Sequence, residues 1–359
     1  MDQKIRFGRV LRLAGAFTAC AIGSGFATGQ EIMQFFTAQG IMSMLGSVVT
    51  TVIFAWCGAI FMKHGYEHKL SEPGQILEFY FGRTGGIIAA VLVELFLYSV
   101  FVIMISGAGT VLSELFGLPP MLGRLLIAAL SLLTVVCGLS KLADIIGSAG
   151  TVIIVFTIAV GIIALVTAPG SILDAAAVIP ALPLTKAPGG WLWSSILYPA
   201  YNAVVVIFLS CCLGRDAASR KEAVLGGACG GIFFGLAILV MNAGLTANIA
   251  AVWESSVPVL ALAKNIHPAV AFVFSVIVFL GIYSTAVPML WSVVRSFAGD
   301  RTKRSVILSA VLSAAGLALG MTDFKTLVNT IYPFSGYAGL LIIAAATFRE
   351  LFKKKRTEK

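Results

Sequence analysis

Two glutamates sit in stretches too apolar to hold a solvated carboxylate. Glu31 follows the glycine-rich run "GSGFATGQ" (residues 23–30), and Glu94 lies inside "VLVELFLYSVF" (91–101). A carboxylate in hydrocarbon is costly, and its usual work is to carry a proton or to balance a bound cation. Glu31 also has a local reading, because "TGQE" (28–31) has the pattern of a capping box, with Thr28 as N-cap and Glu31 reaching back to its N–H. Glu94 is deeper in its apolar run and is the stronger candidate for a titrating group. Tyr98, one turn further on the same helical face, is within reach of a substrate there. A third constellation is "FLGIYSTAVPML" (279–290), where Gly281, Ser284 and Thr285 share a face at i, i+3 and i+4. Two hydroxyls and a carbonyl bared by glycine are hard oxygen ligands suited to an alkali cation, although such hydroxyls also bond back to the preceding turn in membrane helices.

The elements that must hold these residues follow from composition. Of 359 residues, 59% are hydrophobic and 11% charged, against roughly a quarter charged in soluble domains. This predicts an all-α polytopic membrane protein. Ten apolar runs are long enough for the roughly 20-residue crossing, at 8–37, 40–62, 84–115, 121–139, 145–168, 191–213, 222–248, 269–297, 305–320 and 326–348.

The net charge of +9 is a topology signal and not a nucleic-acid footprint. With an even number of spans and the N-terminus inside, only Arg124, Lys186, Lys264 and Lys325 of the 25 Lys and Arg residues fall in outer segments. That bias puts both termini in the cytoplasm and the "KKKR" tail (353–356) against anionic lipid. The start, "MDQKIRFGRVLRLAGAFTAC", imitates a secretory signal. Phe17 stands where cleavage needs a small residue, and the span count requires the segment to stay. The six cysteines lie in or at the ends of apolar runs without a C-x-x-C pair and read as small buried hydrophobes.

The long loop at 169–190 divides the chain into halves, 1–168 and 191–348, followed by a basic tail, 349–359. Five spans on each side make an inverted repeat. The first span of each half is interrupted, at "GSGFATG" in span one and at "YPAYNA" (198–203) in span six, where Pro199 removes a helix hydrogen bond. Matching interrupted segments point to a transporter binding site. An unwound helix offers free N–H groups to an anion and free carbonyls to a cation. The segment 63–85 reads as a cytoplasmic amphipathic helix with its turn at 71–74. "SVPVLALAK" (256–264), apolar on one face, reads as a re-entrant or surface helical lid too short to span.

These residues resemble the LeuT-fold transporters of the amino acid, polyamine and organocation superfamily, and within it the YkvI-type bacterial membrane proteins. The resemblance rests on "GSGFATGQE", the interruption in span six and the Ser-Thr pair of span eight. It implies one sodium site made by the carbonyls of Ala19 and Ile22 together with Gly281, Ser284 and Thr285. A second sodium site is not implied, since Cys20 and Phe26 stand where asparagines would be needed. Span five has no lysine of the proton-coupled kind, which leaves Glu94 or Glu31 as the proton carriers if H+ is the coupling ion.

The resemblance further implies a secondary transporter of a small amino acid or amine-bearing metabolite in the bacterial cytoplasmic membrane. Its substrate would contact the backbone of Gly23, Ser24 and Gly25 and the side chains of Tyr98, Tyr198, Tyr201 and Asn202. No cofactor is expected beyond the coupling ion, Na+ or H+, and nothing in the sequence specifies an oligomeric interface. The rival reading is a sensor that keeps the fold and moves nothing. An enzyme is not expected, because His64, His68 and His267 lie in predicted loops with no catalytic constellation around them.

Overall fold

The computed structural model describes residues 5–137, 143–168, 170, 172–299 and 302–357, without the side chains of residues 24, 143–151 and 353–357. Lys4, Lys141, Arg301 and Lys359 of the charge pattern, and Pro169 and Ser171 of the long loop, lie outside the described residues.

The first apolar run forms three helices, α1 (Phe7–Ala21), α2 (Ser24–Thr28) and α3 (Gln30–Phe35). Ile22 and Gly23 are extended between α1 and α2, and Gly29 takes a left-handed turn (φ 81°) between α2 and α3. The chain continues through α4 (Ser43–His68), α5 (Pro73–Phe116), α6 (Pro120–Cys137), α7 (Ala143–Val166) and α8 (Ala175–Val178). There follow α9 (Gly190–Arg215), α10 (Arg220–Ala247), α11 (Ile249–Val252), α12 (Pro258–Ile266), α13 (Pro268–Ala298), α14 (Lys303–Leu319) and α15 (Phe324–Thr357). Among the described residues there is no strand.

Among the described residues, seven helices are long and apolar enough to cross a membrane: α4, α5, α6, α9, α10, α13 and the Phe324–Phe352 part of α15. Their outer faces carry bare apolar side chains, such as Ile87, Leu95 and Leu341, which water would not tolerate in such number and lipid does. α4 packs between α9 and α10, with α1 against α10 and α15 against α9. This arrangement surrounds the interrupted first segment.

One expectation about elements holds and one changes. Within α5 the end of the amphipathic segment, opened by Pro73, is separated from span three at Gly82, whose backbone is non-helical (φ 73°, ψ 176°), while residues 63–68 close α4. Span six is not broken. α9 runs through Pro199 from Gly190 to Arg215, because the carbonyl that Pro199 leaves unserved, that of Ser195, accepts the Thr50 hydroxyl from α4 at 2.6 Å. The Asn202 amide also donates to the Tyr198 carbonyl at 3.0 Å, tightening the turn that contains the proline. A helix whose freed carbonyl has a donor need not unwind.

Candidate functional site

The site is built on the interruption of the first segment. Ile22 and Gly23 leave helical geometry after α1, and the chain re-enters it in two short pieces separated by Gly29. A β-carbon at Gly29 would lie 2.5 Å from Cγ2 of Val259, so α12, the short lid, rests on the turn between α2 and α3. α12 is too short to span, as its apolar stripe predicts.

Glu31, in the first turn of α3, is only 6% exposed. Its Oε2 accepts the Tyr201 hydroxyl at 2.6 Å and the Tyr198 hydroxyl at 3.1 Å, both from α9. Tyr332 of α15 stacks on Tyr201, ring centroids 4.6 Å apart and planes 2° from parallel, beside the same carboxylate. Oε1 lies against Gly25, where a β-carbon would be 1.7 Å away. Phe35, Phe36 and Phe54 set their ring edges around Tyr198. Among the described residues no Lys, Arg or His pairs with Glu31.

The capping box is therefore corrected. The N-cap of α3 is Gly29, without a side-chain bond. Thr28 donates its hydroxyl to the Gly25 carbonyl at 2.7 Å and accepts from the Gln30 N–H at 3.3 Å. The two tyrosine hydroxyls of α9 outcompete the local cap, since a charged acceptor in a dry site gains more from two hydroxyl donors than from one backbone N–H. Chemically, a carboxylate served only by neutral hydroxyls must either hold a proton or balance a cation that arrives from outside.

Other predicted site residues divide. Gly23 faces open space, Ser24 opens α2, and its side chain lies outside the described part. Asn202 is buried but folded back onto its own helix. Tyr98 is not brought to Glu31: its hydroxyl donates to the Leu312 carbonyl of α14 at 3.0 Å. Glu94 is half-buried and accepts the Ser296 hydroxyl of α13 at 2.5 Å, while its Oε2 has no donor. Glu31 is thus the more deeply buried of the two carboxylates, because the apolar neighbours of Glu94 in sequence turn partly outward, as Leu95 does.

At the expected ion residues, Ser284 and Thr285 both donate to the Gly281 carbonyl at 2.9 Å, leaving their lone pairs free. Ala19 lies in the last turn of α1 and Ile22 caps it, and α13 packs against α2 beside the interruption. Among the described residues no cluster of His, Cys, Asp and Glu is arranged to hold a metal. The residue that sequence reasoning missed is Tyr332. Its signal was present, because "IYPFSGY" (331–337) repeats the Tyr-Pro step of "LYPAYN" (197–202).

No protein-family model matches the chain. It is 23% identical over 338 residues to the uncharacterized membrane protein YkvI of Bacillus subtilis, covering 94% of this chain and 95% of that protein. It is 24% identical over 337 residues to YyaD of the same organism, covering 93% and 94%. Among solved structures, it superposes on the Eremococcus coleocola manganese transporter with a TM-score of 0.60 at 15% identity, covering 92% of this chain and 76% of that one. MhsT in complex with L-phenylalanine gives 0.56 at 14% identity, over 92% and 87%. A Na+-coupled sialic acid symporter gives 0.55 at 11% identity, over 95% and 85%. The chain is a homologue of YkvI and YyaD, and its fold is the LeuT fold. Of these, the Eremococcus protein is a manganese transporter and the sialic acid protein a Na+-coupled symporter. In this LeuT-fold chain the interruption of the first segment, the feature that the sequence marked most strongly, carries the buried Glu31.

Proposed function

We propose that this chain is a secondary active transporter of a small amino acid or other amine-bearing metabolite, working by alternating access around Glu31. One observation carries the reading: a buried carboxylate at a helix interruption, held by hydroxyls and paired with no cation among the described residues. A substrate ammonium supplies the missing charge, and the backbone of Gly23–Gly25 with Tyr198 and Tyr201 lines its place. The phenylalanine of MhsT and the sodium of the sialic acid symporter are compatible precedents in the same fold.

The coupling ion in this reading is one Na+, held by the carbonyls of Ala19 and Ile22 and by Ser284 and Thr285. Gly281 would join once the two hydroxyls turn from its carbonyl toward the ion. Glu31 itself favours a second version, in which its carboxyl carries a proton during the empty return, since no protein cation holds it charged. The chain would lie in the bacterial cytoplasmic membrane with both termini inside and with five spans on each side of the 169–190 loop.

The test is uptake by the purified protein in proteoliposomes, with labelled amino acids and monoamines under an inward Na+ gradient, an H+ gradient or none. Gradient-driven accumulation of an amine-bearing solute is expected. No accumulation of any solute under either gradient would overturn transport in favour of a sensor.

A further inference from the structure

The surroundings of Glu31 contain acceptors that nothing serves. Gln30 and Gln34, one turn apart on α3, are 1% and 0% exposed, and the side-chain oxygen of each is buried without a hydrogen-bond donor. So is Oδ1 of Asn329 on α15. Buried amide oxygens are normally satisfied, and three orphans in one region ask for an explanation.

They share a seam. The Gln34 amide donates to the Lys325 carbonyl at 3.0 Å, which fixes α3 against α15 at that level. Tyr332, stacked on the Tyr201 that donates to Glu31, stands at the next level. Lys325, Asn329 and Tyr332 follow one another at i, i+4 and i+7, a single stripe of a helix, so Asn329 stands between the two fixed contacts. Gln30 lies one turn from Gln34 on the same face and beside Glu31. The cation on this stripe, Lys325, directs its ammonium to the Glu254 carbonyl at 2.6 Å.

We propose that the seam between α3 and α15 is a recognition site for a cationic amine, with Gln30, Gln34 and Asn329 accepting N–H groups of a ligand whose charge Glu31 balances. This deepens the transporter reading above and rests on it. The unserved side-chain atoms of the seam are acceptors, and a group with several N–H donors is the ligand that satisfies acceptors together. Gln30 and Gln34 are about 6 Å apart along the helix, a spread that suits a multi-donor molecule better than one small ion. The arrangement also explains discrimination: a hydroxyl or amide analogue lacking the charge leaves Glu31 unpaired, and a buried unpaired partner is what rejects wrong ligands most strongly.

The experiment is binding to the purified full-length protein, read as thermal stabilisation by propylammonium and L-alaninamide, with propanamide, propanoate and NaCl as controls at fixed ionic strength. Stabilisation by the two cations alone is expected, with apparent affinity at least tenfold weaker in Gln30→Met and in Asn329→Leu. Both variants replace an orphan acceptor with an apolar side chain, so the empty protein should melt at the same temperature or higher, which separates lost recognition from lost folding. Unchanged amine affinity in both variants would overturn the seam while leaving transport standing. Stabilisation by NaCl that the variants abolish, without any by amines, would make the seam an ion site and contradict the proposal. No binding of amines together with gradient-driven uptake of a neutral or anionic solute would also overturn it, and absence of both would overturn the transporter reading as well.

Discussion

The Oε1 atom of Glu31 occupies the space where Gly25 has no side chain, 1.7 Å from the position a β-carbon would take. The two residues are six apart, on either side of the left-handed turn at Gly29. The glycine is therefore needed by the carboxylate and not only by the bend. α2 and α3 are folded so that the absent side chain of one makes room for the charged side chain of the other.

Gly25→Ala should push the carboxylate off its tyrosines. Overpacking of this kind costs about 1–3 kcal/mol, and the melting temperature should fall accordingly. In a Glu31→Ala background the same change should be nearly neutral, and a double-mutant cycle on thermal unfolding measures that coupling.

Removing the hydroxyls should have unequal effects. A hydrogen bond to a charged group contributes about 1.5–3 kcal/mol, and the 2.6 Å bond from Tyr201 is shorter than the 3.1 Å bond from Tyr198. Tyr201→Phe should therefore lower stability and any transport rate more than Tyr198→Phe, as read by melting temperature and by uptake rate in proteoliposomes.

Thr50→Val should destabilise α9 at its proline by leaving the Ser195 carbonyl without a donor, at about 1–3 kcal/mol. Pro199→Ala supplies an N–H to that carbonyl, so it should recover most of the loss in the Thr50→Val background. A cycle of the four proteins by thermal unfolding checks this.

These contacts also show what the sequence could and could not disclose. The interruption of span one, the long apolar helices and the short lid are written in local patterns: glycines, run lengths and an apolar stripe. The fate of Pro199 is not, because its remedy, Thr50, lies on α4, 145 residues from the Ser195 carbonyl it serves. The "TGQE" pattern is a valid local cap that loses to a tertiary competitor, two tyrosines from α9. The relative depth of Glu94 was not legible for the opposite reason. Apolar neighbours in sequence do not distinguish a protein interior from a lipid-facing surface, and in a membrane protein both are apolar.

If Na+ is held beside the interruption, Ser284→Ala combined with Thr285→Ala should remove sodium stimulation of uptake. The fold should persist, because both hydroxyls bond only within their own helix. Initial uptake rates across a sodium titration check this, and an unchanged sodium dependence would place the ion elsewhere.

The most direct test of the role given to Glu31 compares gradient-driven uptake of an amine-bearing solute by the wild-type protein, Glu31→Gln and Glu94→Gln, each confirmed folded by its melting temperature. The account predicts at least a hundredfold loss in Glu31→Gln, about 2.7 kcal/mol, and near-normal uptake in Glu94→Gln. Accumulation by Glu31→Gln at the wild-type rate would contradict it.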